Sequence, residues 1–187
     1  GLNRHQSYPY IGYAAPESLQ RQDARILKNE LHCNAVRTSH YPQSQHFLDE
    51  CDRLGLLVFT ELPGWQHIGD EAWKDRACAM LREMLLQNRN HPSIILWGVR
   101  INESVDDDEF YTRTNQIAHA LDPSRATSGV RYLEKSHLLE DVYAYNDYSY
   151  RGRGSACEAR AAVTSDPRKG YLISEFGGQQ LPTKPFD

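Results

Sequence analysis

Short apolar runs alternate with longer amphipathic stretches along this chain, and that alternation leaves few folds open. The runs at 34–38, 56–60 and 93–99 read as strands buried on both faces, and weaker runs follow at 126–130, 141–145 and 171–175. Leu2 and Asn3 read as the tail of an earlier strand, making seven. Four stretches between them carry apolar residues at helical spacing. Pro16 and Glu17 open the first, because the N–H that proline lacks would have no partner at that position; Leu19, Ile26, Leu27 and Leu31 share its stripe. Ser44 is placed to cap the second, with Phe47, Leu48, Cys51 and Leu54 on one face and Gly55 as its stop. Asp70 is placed to cap the third, which carries Trp73, Ala77, Met80, Leu81, Met84 and Leu85. The fourth starts in Asp106-Asp107-Asp108 and presents Phe110, Ile117, Ala118 and Leu121. A further short helix is expected near 155–163.

Strand and helix in regular turn mean βαβ units and an α/β fold, either a closed barrel or an open doubly wound sheet. No Gly-x-Gly-x-x-Gly turn is present, which removes the usual mark of a dinucleotide-binding open sheet and of an NAD-dependent oxidoreductase. A barrel carries its chemistry at the C-terminal ends of successive strands. Here Arg4-His5, Arg37 to His40, Glu61, Asn102-Glu103, Asn146 to Tyr148 and Glu175 each follow a strand. The expected fold is therefore a (β/α)8 TIM barrel, incomplete, with about seven strands present and the eighth missing. A whole barrel takes roughly 250 residues. The 187 residues are accordingly expected to be a single catalytic barrel domain, a fragment of a larger multidomain protein.

Composition narrows the function classes. Lys+Arg number 21 against 25 Asp+Glu, for a net charge of -4, and the basic residues form no long run, so the cationic footprint of a nucleic-acid binder is missing. No apolar stretch approaches the ~20 residues that cross a bilayer. Cys33, Cys51, Cys78 and Cys157 lie far apart without a Cys-x-x-Cys pair, and Cys51 and Cys78 fall in helical patterns as buried free thiols. Reduced thiols and the lack of a visible leader point to a cytoplasmic setting.

Two carboxylates stand out: Glu103, following Asn102 after the fourth strand, and Glu175, ending the seventh. Cleaving a glycosidic bond requires a proton for the leaving oxygen and a second carboxylate across the anomeric carbon; in a retaining enzyme the two lie ~5–5.5 Å apart. Two side chains that top one barrel can meet this way despite their separation in sequence. Glu103 must then hold a proton while Glu175 stays ionised. Spacing alone leaves equally open that each is a surface or helix-capping carboxylate.

The stretch Asn34-Ala35-Val36-Arg37-Thr38-Ser39-His40-Tyr41-Pro42 closely resembles the first signature of glycoside hydrolase family 2, the family of β-galactosidases, β-glucuronidases and β-mannosidases. Residues 89–98 (Arg89-Asn90-His91-Pro92 through Trp97-Gly98), leading to Asn102-Glu103, resemble its second signature; three residues separate Gly98 from Asn102, where many members have two. Leu2-Asn3-Arg4-His5 and Ile173-Ser174-Glu175-Phe176-Gly177 resemble its first and nucleophile strands. The resemblance implies a retaining exo-β-glycosidase, foremost a β-galactosidase, with a β-glucuronidase, a β-mannosidase or a non-catalytic carbohydrate-binding barrel as alternatives. It makes Glu103 the proton donor, Glu175 the nucleophile and Asn102 the partner of the sugar 2-hydroxyl, with His5 and His40 lining the sugar subsite. Tyr148, in a segment similar to that of β-glucuronidases, is expected to contact the nucleophile. Arg37 is placed to hold Glu175 ionised. Glu61 is expected to touch substrate or shape the floor, and Trp65 to offer a flat face for a sugar ring. No cofactor is expected to be required. Some members hold Mg²⁺ near the acid/base, and Glu61, Glu103, His5 and His40 are the side chains to test for it. The expected partner is a β-glycoside or oligosaccharide, and the full-length protein is expected to be a homo-oligomer.

Overall fold

The computed structural model describes residues 1–149, 157–164, 166 and 168–176. Its strands are β1 (Leu2–Arg4), β2 (Ala35–Thr38), β3 (Leu57–Glu61), β4 (Ile94–Gly98), β5 (Ala126–Arg131), β6 (Val142–Asp147) and β7 (Gly170–Phe176). They lie side by side in chain order as one parallel sheet. The connecting helices are α1 (Glu17–Arg25), α2 (Gln45–Leu54), α3 (Glu71–Asn88), α4 (Asp108–Leu121) and the short α5 (Arg160–Val163). The sheet curls into an incomplete TIM barrel. Between β1 and β7 lies a cavity of about 430 Å³ walled by Leu2, Asn3, Val36, Leu172 and Ile173, with Arg37 and Phe59 reaching into it.

Strand side chains alternate between the two faces, which splits the core in two. On the helix side Val36, Val58, Ile94 and Trp97 pack with Phe47, Leu48, Leu81, Leu85, Phe110 and Ile117. Burying each such side chain contributes roughly 1.5–3 kcal/mol. The Trp97 indole N–H, which burial would otherwise strand, donates to Asp122 Oδ2 at 3.0 Å. On the inner side Phe59, Leu96, Val130 and Ala144 form a smaller cluster. Above it the inner positions turn polar, with Arg37, Glu61 and Asn146 at the C-terminal ends of their strands.

Two register shifts matter. At Val58/Phe59 the ladder passes over Ile95, which is left 48% exposed despite its apolar character. At Tyr145/Asn146, Ile173 pairs Tyr145 but Glu175, rather than Ser174, pairs Asn146. Strict alternation would send Glu175 to the opposite face from Asn146; the bulge brings both to the inner rim.

The helix starts obey their caps. Asp70 accepts from Trp73 N at 2.9 Å and Asp107 from Phe110 N at 3.0 Å, and Gly55 ends α2 in the left-handed conformation (φ 63). Three sequence readings are corrected. Ser44 precedes α2 without a side-chain cap bond. The first helix passes into a π-helical turn at Ile26–Glu30, whose extra residue rotates Leu31 off the stripe and leaves it 54% exposed. Met80 is 44% exposed, on the outward side of α3. Strand ends differ from expectation by one or two residues, and of the helix expected near 155–163 only Arg160–Val163 is helical, with 155 and 156 outside the described residues. Cys33, Cys51 and Cys78 are buried free thiols. Among the described residues no helix is long and apolar enough to cross a membrane.

Candidate active site

Arg37 is the hub of the C-terminal rim. It is the penultimate residue of β2, on the inner face and almost fully buried, where an unpaired guanidinium would be costly, and every arm has a partner. Nε and Nη2 grip Glu61 of β3 (3.1 Å to Oε2, 2.8 Å to Oε1), Nη1 pairs with Glu175 of β7, and Nη2 also donates to Asn102 Oδ1 at 2.7 Å. His40 Nδ1 lies 3.1 Å from Arg37 Nη2 and 3.2 Å from Glu61 Oε1. Glu61 is 1% exposed and its oxygens are taken up by Arg37 and His40, so it presents no free oxygen to a ligand.

Glu175 receives a second hydrogen bond, from the Tyr148 hydroxyl. Burial pushes its carboxyl up, but the Tyr148 bond and the Arg37 charge outweigh it and hold the group below the ordinary carboxylate range. The ionised state expected of it thus has a physical cause. Tyr148 is pushed up in turn, by burial first, then by its bond to Glu175 and by the charges of Glu175 and Glu103. It therefore feels both carboxylates.

Glu103 follows β4 in a short turn. Trp65 Nε1 and Gln66 Nε2 each donate to its Oε2 at 3.1 Å, and Asn146 Nδ2 to its Oε1 at 3.0 Å. Its backbone is left-handed (φ 54), a conformation that costs a non-glycine residue about 1–3 kcal/mol and persists where the surroundings enforce it. The enforcement is visible on both sides: Glu103 N donates to Val130 O of β5 at 3.0 Å, and Gln66 N to Asn102 O at 2.8 Å.

Asn102 joins the two halves. Because Arg37 can only donate, the amide oxygen must face it. That leaves Asn102 Nδ2 as a buried donor without a hydrogen-bond partner among the described residues. Asn146 completes the link: it donates to Glu103, its Nδ2 lies 3.5 Å from Asn102 Oδ1, and its Oδ1 accepts from Ser174 Oγ at 2.9 Å. Glu103 and Glu175 are therefore joined by one network running through Asn146, Asn102 and Arg37. His5 lies beside it, 5.3 Å from His40 between ring centroids, with Nδ1 3.3 Å from the Tyr41 hydroxyl. Burial and the neighbouring His40 hold its imidazole below the ordinary value.

All nine residues anticipated from the sequence therefore gather on one rim. Trp65 is exposed, and its indole edge is tied to Glu103. Three contributors carried no assigned role: Asn146, Gln66 and Tyr41. Asn146 follows a strand, the signal that pointed to the others, whereas the reach of Gln66 depends on a loop that sequence does not shape.

A family model described as "Glycosyl hydrolases family 2, TIM barrel domain" matches residues 1–184. The chain belongs to glycosyl hydrolase family 2. This family 2 barrel is 59% identical over its whole length to a β-galactosidase of Thermoanaerobacterium thermosulfurigenes and 44% identical to one of Rhizobium meliloti. It spans 26% of each of those proteins. Among solved structures it is similar to an FMN-binding β-glucuronidase from Facaelibacterium prausnitzii L2-6 (TM-score 0.74, 32% identity, 79% of this chain and 25% of that one). A family 2 β-galacturonidase from Eisenbergiella tayi bound to galacturonate is similar to a like degree (TM-score 0.70, 33% identity, 78% of this chain and 28% of that one).

The fit of a magnesium ion can be tested on the donors. Among the described residues no three His, Cys, Asp or Glu side chains converge on a common point. Glu61 is held by Arg37 and His40, and Glu103 by three nitrogen donors, so these carboxylates do not form the oxygen cage that Mg²⁺ prefers.

Proposed function

We propose that this chain is the catalytic barrel of a retaining exo-β-glycosidase, a β-galactosidase, with Glu175 as nucleophile and Glu103 as acid/base. In the first step a Glu175 oxygen attacks the anomeric carbon while the bond to the leaving oxygen breaks and Glu103 passes its proton to that oxygen. In the second, Glu103 takes a proton from water, the water oxygen bonds to the anomeric carbon, and the ester to Glu175 breaks. The observation that carries the reading is the Asn102 amide. Its oxygen is committed to Arg37 and its nitrogen is a buried, unspent donor on the network between the two carboxylates. That nitrogen has no exposed surface as it stands, so a small shift of the side chain on binding would let a sugar 2-hydroxyl accept from it, a contact that strengthens toward the transition state. The ionised state favoured at Glu175 suits a nucleophile. Trp65 offers its indole face beside the proton donor. For the sugar, support comes from the 59%, 56% and 44% identical relatives, all β-galactosidases and all matched over the whole chain, against 29–35% for the β-glucuronidases.

The test uses the full-length enzyme. A 2-deoxy-2-fluoro-β-galactoside should add one sugar mass to the wild type and none to Glu175→Gln, which should also lose turnover. Glu103→Ala should spare substrates with good leaving groups far more than poor ones. Normal turnover by Glu175→Gln would remove it as nucleophile, and a panel of aryl β-glycosides in which galactose is not preferred would overturn the choice of sugar.

A further inference from the structure

Outside the network just described, Arg100 is a buried cation that the proposed reaction does not use. It lies in the three-residue stretch Val99-Arg100-Ile101 between β4 and Asn102, is 1% exposed, and packs against the back of β5, where its Cβ comes within 2.4 Å of the position a Cβ on Gly129 would take. From there its guanidinium turns onto the loop that carries Glu103. Nη2 donates to Ser104 O at 3.1 Å and to Asp106 Oδ1 at 2.7 Å, and the guanidinium carbon sits 4.5 Å from the centre of the Tyr111 ring. Ser104 Oγ, in turn, donates to Ile101 O at 2.9 Å and lies 2.5 Å from the Tyr111 hydroxyl. Asp106 also accepts from His137 N at 3.0 Å. One guanidinium therefore closes residues 100–106 into a ring whose innermost member is the left-handed Glu103.

We infer that Arg100 is a positioning residue for the proton donor, holding the turn from behind so that Glu103 keeps its strained backbone and its aim. This rests on the assignment of Glu103 made above. A non-glycine residue keeps a left-handed backbone where its surroundings over-determine it. The bonds on the pocket side of Glu103, from Trp65, Gln66 and Asn146, fix the carboxylate; the bonds from Arg100 fix the backbone that follows it. Both hydrogen bonds come from Nη2, and what lysine lacks is the planar guanidinium that sets that nitrogen while lying over the Tyr111 ring. Displacing a reacting group by about 1 Å costs on the order of 10²-fold in rate. That loss should fall on the step that needs the proton.

The experiment compares Arg100→Lys and Arg100→Met with wild type in the full-length enzyme, using a methyl and a dinitrophenyl glycoside. The methyl leaving group needs protonation and the dinitrophenyl group does not. The expected result is a kcat/KM lowered ~10²-fold on the methyl glycoside with little change on the dinitrophenyl one, the Lys variant being no better than partly rescued. Equal losses on both substrates in a folded variant, or no loss on either, would overturn the inference. Should Arg100→Met fail to fold, Asp106→Asn loosens the same clamp from its more exposed end. It should give a smaller loss confined to the methyl glycoside, and an even loss or none would again count against the inference. Trapping of wild type by the fluorosugar keeps the outcomes apart. Failure to trap defeats the glycosidase reading itself, whereas trapping without a leaving-group split defeats only the role of Arg100.

Discussion

Replacing Arg37 with Met tests the site at its hub. The substitution keeps an apolar stem and removes the group that binds Glu61 twice, Glu175 once, and Asn102 and His40 besides. Glu61, 1% exposed, would be left as a buried carboxylate with only the His40 ring beside it. Breaking one side of a buried pair costs about 3–5 kcal/mol, most of it from the stranded charge, whereas replacing both partners by apolar residues is often close to neutral. Arg37→Met should therefore destabilise the barrel by about 3–5 kcal/mol, and the double variant with Glu61→Leu should recover most of that. Urea unfolding of the full-length enzyme, followed by tryptophan fluorescence, measures both. Catalysis supplies an independent readout. The Glu175 carboxyl is depressed in the folded state, so its stabilising pairing is present above the ordinary carboxylate pKa and is lost as pH falls through the folded value. Without Arg37 that folded value rises, and the acid limb of kcat/KM should move to higher pH. A single variant within about 1 kcal/mol of wild type, a double variant no better than the single, or an unmoved acid limb would refute the reasoning.

Two further predictions test the frame. A Cβ on Gly98 would meet Glu61 Cβ at 2.3 Å and Glu61 Cα at 2.8 Å, so Gly98→Ala must push β3 and β4 apart beneath the Arg37–Glu61 pair. A cost of about 1–3 kcal/mol with a fall in activity is expected, and unchanged unfolding and kinetics would show that the strands yield freely. Away from the site, a hydrogen bond from Arg53 lowers the Glu50 carboxyl against the opposing effect of burial, and Arg25 helps to hold it at about 2. This contribution is present above about 4.5 and disappears as pH falls toward 2, so urea midpoints should drop across that window and Glu50→Gln should flatten the drop. Parallel curves for the two proteins would exclude Glu50 as a source of acid sensitivity.

Much of the site was legible because a parallel barrel presents its chemistry at one rim. Any polar residue just after an apolar run is a candidate, and Arg37, Glu61, Asn102, Glu103 and Glu175 all occupy such positions. Glu61 was only half legible: its position placed it at the rim, but its role as a buried counter-ion depends on the approach of Arg37 from the neighbouring strand. Asn146 shows the opposite case. It stood in the right place without a role, since its partners Glu103 and Ser174 lie 43 and 28 residues away. Leu31 and Met80 mislead because apolar character does not reveal an inserted helical residue or the width of the buried stripe.

What local sequence determined is the order of strands and helices, most of their caps, and the placing of polar residues at strand ends. Periodicity and capping act over a few residues, and 187 residues of alternating pattern leave little freedom in how they are laid out. Only the folded chain decided the rest. The register shift between β6 and β7 turns Glu175 inward, Arg37 ties four strands' worth of side chains together, and the left-handed turn at Glu103 is held by groups from β5, the 62–69 loop and Arg100. Each is a contact between residues distant along the chain, whose energies depend on approach and burial that no local pattern encodes.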